Sequence, residues 1–236
     1  MKRVLGRIEE RKARFATLDF FRRLEGSGGI EDVTAFAPGL TFFVMAFQDV
    51  LRLNAARVRD PELARIVRQH RDEDSGHDLW FLHDLRQLHR DVDVAWLFSP
   101  EHETTRDTAY ALVAEALRAE HDIARLAIIL SLEATGDALF RRVPGFLARA
   151  GHKARMLYFS RHHHEVETAH DLHDEGLSRA LASTTLAPDT FEIVSSTVER
   201  TFDAMEAMVE HLEARIIGER ASGTRIKSDV AREGVA

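Results

Sequence analysis

Three stretches of this 236-residue chain carry side chains able to hold a metal ion or to move protons. The densest reads YFSRHHHEVETAH, in which His163, Glu167 and His170 stand at i, i+4 and i+7. On a helix this spacing puts Glu167 and His170 within about 40° of His163. They fall between the apolar positions Met156, Phe159 and Leu177 of the same face. Imidazole and carboxylate together suit Fe, Mn or Zn, and such groups on neighbouring turns can bite a single ion. The outer members of the His162-His163-His164 triple are expected to face solvent, as are His173 and Asp174. The ordinary alternative is a histidine-rich exposed helix.

The second stretch follows Pro61. Leu63, Ile66, Phe81, Leu85 and Leu88 define one face of a helix over about 61–88. At about 100° per residue, His70, Glu73, Asp74 and His77 share that face. Four polar groups buried there need partners or a metal, because leaving them unpaired costs roughly several kcal/mol. The third stretch is AIILSLEATGDALF, where Glu133 closes a run, Leu126 to Leu132, that is apolar on all sides and so reads as a buried helix. A carboxylate at such a place is paired, protonated or bound to a cation. Glu115 is a second candidate on the same face. His83, His89, His102, His121, His152 and His211 have no companion pattern and are expected at the surface or behind the ligands.

The elements that must position these groups are helices. Apolar residues recur at three- and four-residue spacing, and the chain has only five prolines. A short N-terminal helix to about Leu24 ends at Gly26-Ser27-Gly28-Gly29. Asp32 is placed to cap a long helix through Phe36, Leu40, Phe43, Phe47 and Leu51. Asp60-Pro61 and Ser99-Pro100 open two more, the latter running from about Arg106 to Asp137. Pro144 starts a stretch that continues past Gly151 to about Ala180, and Pro188-Asp189 precedes a last helix ending near Gly218. Residues 219–236 are expected to be a mobile polar tail. The sum is an all-α, single-domain bundle of about seven helices over 1–218. The Phe36, Phe42, Phe43 and Phe47 group is core, or the wall of an apolar pocket.

With 44 % hydrophobic and 30 % charged residues the chain is too apolar for disorder. A net charge of -7 argues against a nucleic-acid partner. The absence of cysteine removes disulfides, thiolate ligands and thiol nucleophiles at once. The opening MKRVLGRIEERKARF lacks the apolar core of a signal peptide, and the run Leu126 to Leu132 is too short to span a bilayer. A cytoplasmic protein with no membrane partner is expected, and a homodimer is a reasonable assembly.

The order of these stretches resembles the haem-oxygenase-like di-iron oxidases. A His-bearing helix is followed 56 positions after His77 by the lone Glu133, and 30 positions later by a His-x3-acid-x2-His helix. The resemblance covers most of 15–215, including the helix–glycine turn–helix opening and the Tyr158-Phe159 pair. It implies metal ligands Glu73 (or Asp74) with His77, then Glu133, then His163, Glu167 and His170, with His70 in a third possible place for the early ligand. It further implies two iron ions, the second held more loosely, with Glu133 and Glu167 as bridges, and the oxidation of a small molecule by dioxygen. Relatives decarboxylate fatty acids, N-oxygenate amines or fragment amino acids. The usual Asp of the last motif is Glu167 here, a mild change. Haem oxygenases need a histidine on the first helix, yet the first histidine here is His70, and the thiaminase-type relatives need a cysteine. Cofactor-free relatives such as the pyrroloquinoline-quinone synthesis enzyme remain open. So does a ferritin-like bundle, ranked lower, whose acid-x-x-His pairs Asp74-x-x-His77 and Glu167-x-x-His170 mimic.

Overall fold

The computed structural model describes residues 1–90, 92–168, 181 and 184–233, with side chains for 1–90, 92–166, 181 and 184–221. Among the described residues every regular element is helical, as the periodicity predicts. In chain order these are α1 (Lys2–Phe15), α2 (Asp19–Glu25), α3 (Ile30–Phe36), a 3₁₀ turn (Ala37–Leu40) and α4 (Thr41–Ala55). Then follow α5 (Pro61–Glu73), α6 (His77–Gln87), the short α7 (Val94–Leu97), α8 (Glu103–Arg118), α9 (Asp122–Phe140), α10 (Val143–Arg149), α11 (Arg161–Thr168) and α12 (Pro188–Glu233).

α9 is the axis of the molecule. Its apolar surface runs all the way round, so it is stable only when enclosed. Ala124, Leu126, Ala127, Ile128, Ile129, Leu132 and Ala138 are all buried, with α1, α4, α5, α8, α10, α11 and α12 packed around it. α4 lies against α8, and α12 crosses α1, α8 and α9. A ladder of aromatic rings fills one end, from Phe15 and Phe21 (5.0 Å between centroids) to Phe20 and Phe36 (5.1 Å).

The helices are more broken than their periodicity predicts, and each break has a local cause. The stretch expected as one helix over 61–88 stops at Glu73 and restarts at His77, because Gly76 takes a left-handed φ of 95°. The expected helix from Arg106 to Asp137 is two helices parted at Ala119–His121. Asp32 does not cap a helix: Gly29 holds the N-cap of α3, and Asp32 lies inside that helix, fully buried, paired with Arg220 at 2.6–2.7 Å. Pro38 turns the chain through the 3₁₀ segment before α4.

Two further expectations change. α12 does not end near Gly218 but runs on to Glu233, and Arg220, the partner of Asp32, belongs to the stretch read as a tail. Leu126 to Leu132 is not the stretch that bears on membrane crossing: Ile30–Ala55 is long enough, and 18 consecutive residues within it reach a mean hydropathy of 1.4, so it passes by length and composition alone. It is divided by the 3₁₀ turn, and its α4 half packs against α5, α6 and α8 as a core element.

Candidate metal centre

Two anchors set the register of the site. Asp60 caps α5, accepting the N–H groups of Glu62 and Leu63 at 3.0 and 2.9 Å, with Pro61 at the first helical position. The Asp122 carboxylate at the start of α9 accepts the N–H groups of Arg59 and Asp60 at 2.9 and 2.7 Å. α5 and α9 therefore start from one point and run the same way. His70 lies ten residues past Asp60 and Glu133 eleven past Asp122, about 15 and 16.5 Å along their axes at a 1.5 Å rise. The two side chains arrive level, and His70 Nε2 stands 3.2 Å from Glu133 Oε1.

The second anchor is Asp84 on α6. Fully buried, it accepts the N–H groups of Leu157 at 2.7 Å and Phe159 at 2.8 Å. Burial pushes its carboxyl above the ordinary range, and these two N–H groups pull it part of the way back. The loop so held leads into α11, where Ser160 Oγ accepts the N–H of His163 at 3.0 Å in the manner of an N-cap. His163 is buried, and its Nδ1 lies 2.6 Å from the carbonyl of Tyr158. A carbonyl only accepts, so Nδ1 carries the proton and the lone pair of Nε2 faces inward. This is how a protein orients an imidazole as a ligand.

The inward-facing atoms form a continuous run. Glu133 Oε1 is 3.2 Å from His70 Nε2, and His70 Nε2 is 3.1 Å from Asp74 Oδ2. The other Asp74 oxygen is 3.3 Å from His77 Nδ1, which is 3.2 Å from His163 Nε2. Asp74 thus presents one oxygen to each histidine of the α5–α6 break. His70, Asp74 and Glu133 each offer an atom to a point where all three lie within 4.8 Å of one another. Neighbouring ligands about 2.1 Å from a common ion stand about 3 Å apart, so these separations fit imidazole–carboxylate coordination. Among the described residues no other group of this kind has such spacing. Trp80 stacks on His77 at 4.5 Å, and Phe140 and Tyr158 flank His163 at 4.2 and 4.8 Å between ring centroids.

Of the residues singled out by sequence, the structure brings together His70, Asp74, His77, Glu133 and His163. Glu73 is not among them: its Oε1 accepts from Gln69 at 3.2 Å, and it lines a shallow surface recess with Arg65, Arg68 and Asp72. Within α5 the buried stripe is Val67, His70 and then Asp74, at i, i+3 and i+7, which leaves Glu73 on the neighbouring stripe with Gln69. The Glu167 side chain and all of His170, His173 and Asp174 lie outside the described residues. Glu115 serves elsewhere, binding Arg118 at 2.5 Å and Arg200 at 2.8 Å as a link from α8 to α12. His162 faces solvent, while His164 is half-buried, 3.2 Å from Asp137. His102 is fully buried rather than at the surface, with its ring against Trp96.

Asp74, His77, Glu133 and His163 of this run floor a cleft of about 1030 Å³, its open mouth included. Two of its walls are largely apolar: Phe15, Phe20, Phe21, Phe43 and Phe47 on one side, Met205, Met208 and Leu212 of α12 on another. The pocket role of the Phe-rich stretch holds for Phe43 and Phe47, whereas Phe36 is core and Phe42 turns to Phe98 and Tyr110. Asp137 also lines the cleft. Burial pushes its carboxyl up, but Lys12, Arg141 and His164 outweigh that and hold it at about 2. No family model matches the chain, and no curated protein matches it.

Proposed function

We propose that the chain is a cytoplasmic non-haem di-iron oxidase or oxygenase that uses dioxygen to oxidise a small molecule: an amine, an amino acid or a fatty-acid-like carboxylate. The observation that carries this reading is the run of imidazole and carboxylate atoms, 3.1–3.3 Å apart, whose Asp74, His77, Glu133 and His163 line a largely apolar cleft. His70, Asp74 and Glu133 hold one ion. His77, His163 and the second Asp74 oxygen face the place of the other, with Glu167 and His170 added by the resemblance. Iron bound there supplies the electrons that dioxygen needs, and mixed imidazole–carboxylate sets leave positions open to it.

The chain's own residues do the remaining work. The Tyr158 carbonyl fixes the His163 tautomer, so the ligand lone pair is in place before any ion arrives. The Phe and Met walls keep water from the floor and receive the apolar part of the substrate. The net charge of -7 sets nucleic acid aside as a partner, no membrane partner is invoked, and a homodimer is the assembly we favour. Loading the protein anaerobically with ferrous iron should give about two ions per chain, and mixing with dioxygen should give a transient visible band. Fewer than one iron per chain, no band, and no difference between wild type and His163→Ala would overturn the proposal.

One observation favours a second reading. The same 3.2–3.3 Å separations between Asp74, His77 and His163 are hydrogen-bond lengths. A metal-free ligand-binding protein, or a cofactor-independent oxidase, would use the cluster to hold and pass protons. Untagged protein free of metal by elemental analysis, or activity that survives chelation, selects this reading.

A further inference from the structure

Gly136 is an unusual residue for its position. It lies inside α9, one turn before its last residue Phe140, and glycine within a helix costs up to about 1 kcal/mol relative to alanine. Packing does not account for it. Among the described residues, a Cβ built there would meet only the Phe140 ring, at 3.6 and 3.8 Å, which is ordinary van der Waals contact. Neither does the backbone: Gly136 is helical and outside the left-handed region that glycine serves at Gly76. It does line the cleft, three residues from Glu133 and so close to that side chain on the same face of α9. Phe140, the neighbour a Cβ would touch, is itself a wall of the cleft and packs on His163.

We infer that Gly136 sets the bore of the cleft beside the His–carboxylate floor, and that the apolar body of the substrate lies against it. Among the described residues, none lining the cleft is Lys or Arg, and the walls from α1, α2, α4 and α12 are hydrocarbon or aromatic apart from Gln48. The ligand class this fits is a slender molecule with an alkyl or aryl body, whose single polar end reaches the floor. The identity of that end rests on the function proposed above; the role of Gly136 in admitting the body does not.

The test uses metal-free protein, so that it stands apart from the iron assay. The probe is N-phenyl-1-naphthylamine, a neutral fluorophore that brightens in apolar cavities, with n-decanol as competitor. Wild type should bind about one probe per chain, released by decanol. Gly136→Ala should raise the melting temperature by a few degrees, since a helix interior gains a better helix former, while weakening the probe severalfold. Gly136→Leu should remain folded and lose the probe by at least about tenfold. A Gly136→Ala protein less stable than wild type would mean that glycine is needed for packing. A Gly136→Leu protein that binds the probe as wild type does would mean that the bore is set elsewhere, and either result overturns the inference. Should iron loading fail while these shifts appear, the cleft keeps its assignment and only the metal chemistry falls.

Discussion

At the residue scale the geometry separates the three places left open for the early ligand: His70 and Asp74 stand beside Glu133 and His77, while Glu73 accepts from Gln69. If the floor holds metal, His70 has a ligand's place and Glu73 does not. Replacing His70 by alanine should weaken one ion by more than the roughly 10–100-fold that follows loss of a group behind a ligand. Glu73→Gln should leave metal content as in wild type. Elemental analysis of untagged protein after equilibration at limiting iron reads both, and equal loss in the two variants would contradict the arrangement. The sequence made His163 legible because its neighbours in spacing and its apolar flanks agree on a face. Glu133 was legible because a carboxylate ending an all-apolar run has few explanations. The choice among His70, Glu73 and Asp74 is not legible, because a single unbroken helix over 61–88 would carry all three on one face with His77, and the break at Gly76 divides that helix. Counted from Val67 within α5 alone, the buried stripe passes through His70 and Asp74.

At the element scale, the short break between α5 and α6 is what lets both carboxylate oxygens of Asp74 be used. Asp74 ends one helix and His77 begins the next, and the chain turns between them at Gly76. Among the described residues a side chain at Gly76 would meet no neighbour within 4 Å, so its requirement there is one of backbone, a φ of 95°. Gly76→Ala should therefore cost about 1–2 kcal/mol, the penalty of a left-handed L-residue. Urea unfolding measures that cost, and a variant as stable as wild type would show that the turn has a cheap alternative. A glycine after a serine inside a periodic stretch was the available sign of this turn. Apolar periodicity hid it, since Phe81, Leu85 and Leu88 resume the same face on the far side. The all-α class and the openings at Pro61 and Pro188 were legible from proline and capping chemistry, which act locally. The partners of Asp32, Asp84 and Asp122 lie far along the chain, and nothing local announces them.

At the scale of the whole molecule, α12 acts as a strap whose contacts are ionic on one side and aromatic on the other. Arg11 of α1 is buried among Glu199, Asp203 and Glu206 of α12, and Arg23 of α2 reaches Glu213. On the opposite side His102 is sealed between Trp96 and α12, near Arg106, His211 and Arg215. Burial is the largest influence on His102, and the neighbouring cations act in the same direction, lowering its pKa from 6.5 to about 4. As pH falls below 6.5 the unfolded chain takes up a proton that the folded chain refuses, so stability declines until about pH 4 and then levels. At about 1.4 kcal/mol per pH unit, this one group removes roughly 2 kcal/mol between pH 7 and pH 5. Other groups titrate across the same interval, so the informative quantity is a difference between two proteins. His102→Gln should lose about 2 kcal/mol less than wild type over that interval, whatever its stability at pH 7. Urea unfolding at the two pH values gives the difference directly. An identical decline in both proteins would place the proton elsewhere, His211 being the nearest alternative, because burial lowers it too. The pH window separates this device from the ion pair of Arg11 with Glu199: burial pushes the Glu199 carboxyl up, but Arg7 and Arg11 outweigh that and hold it below its ordinary range, so this pair is lost only at lower pH. Acid should therefore loosen α12 first at its His102 side, with the Arg11 side holding until Glu199 itself titrates.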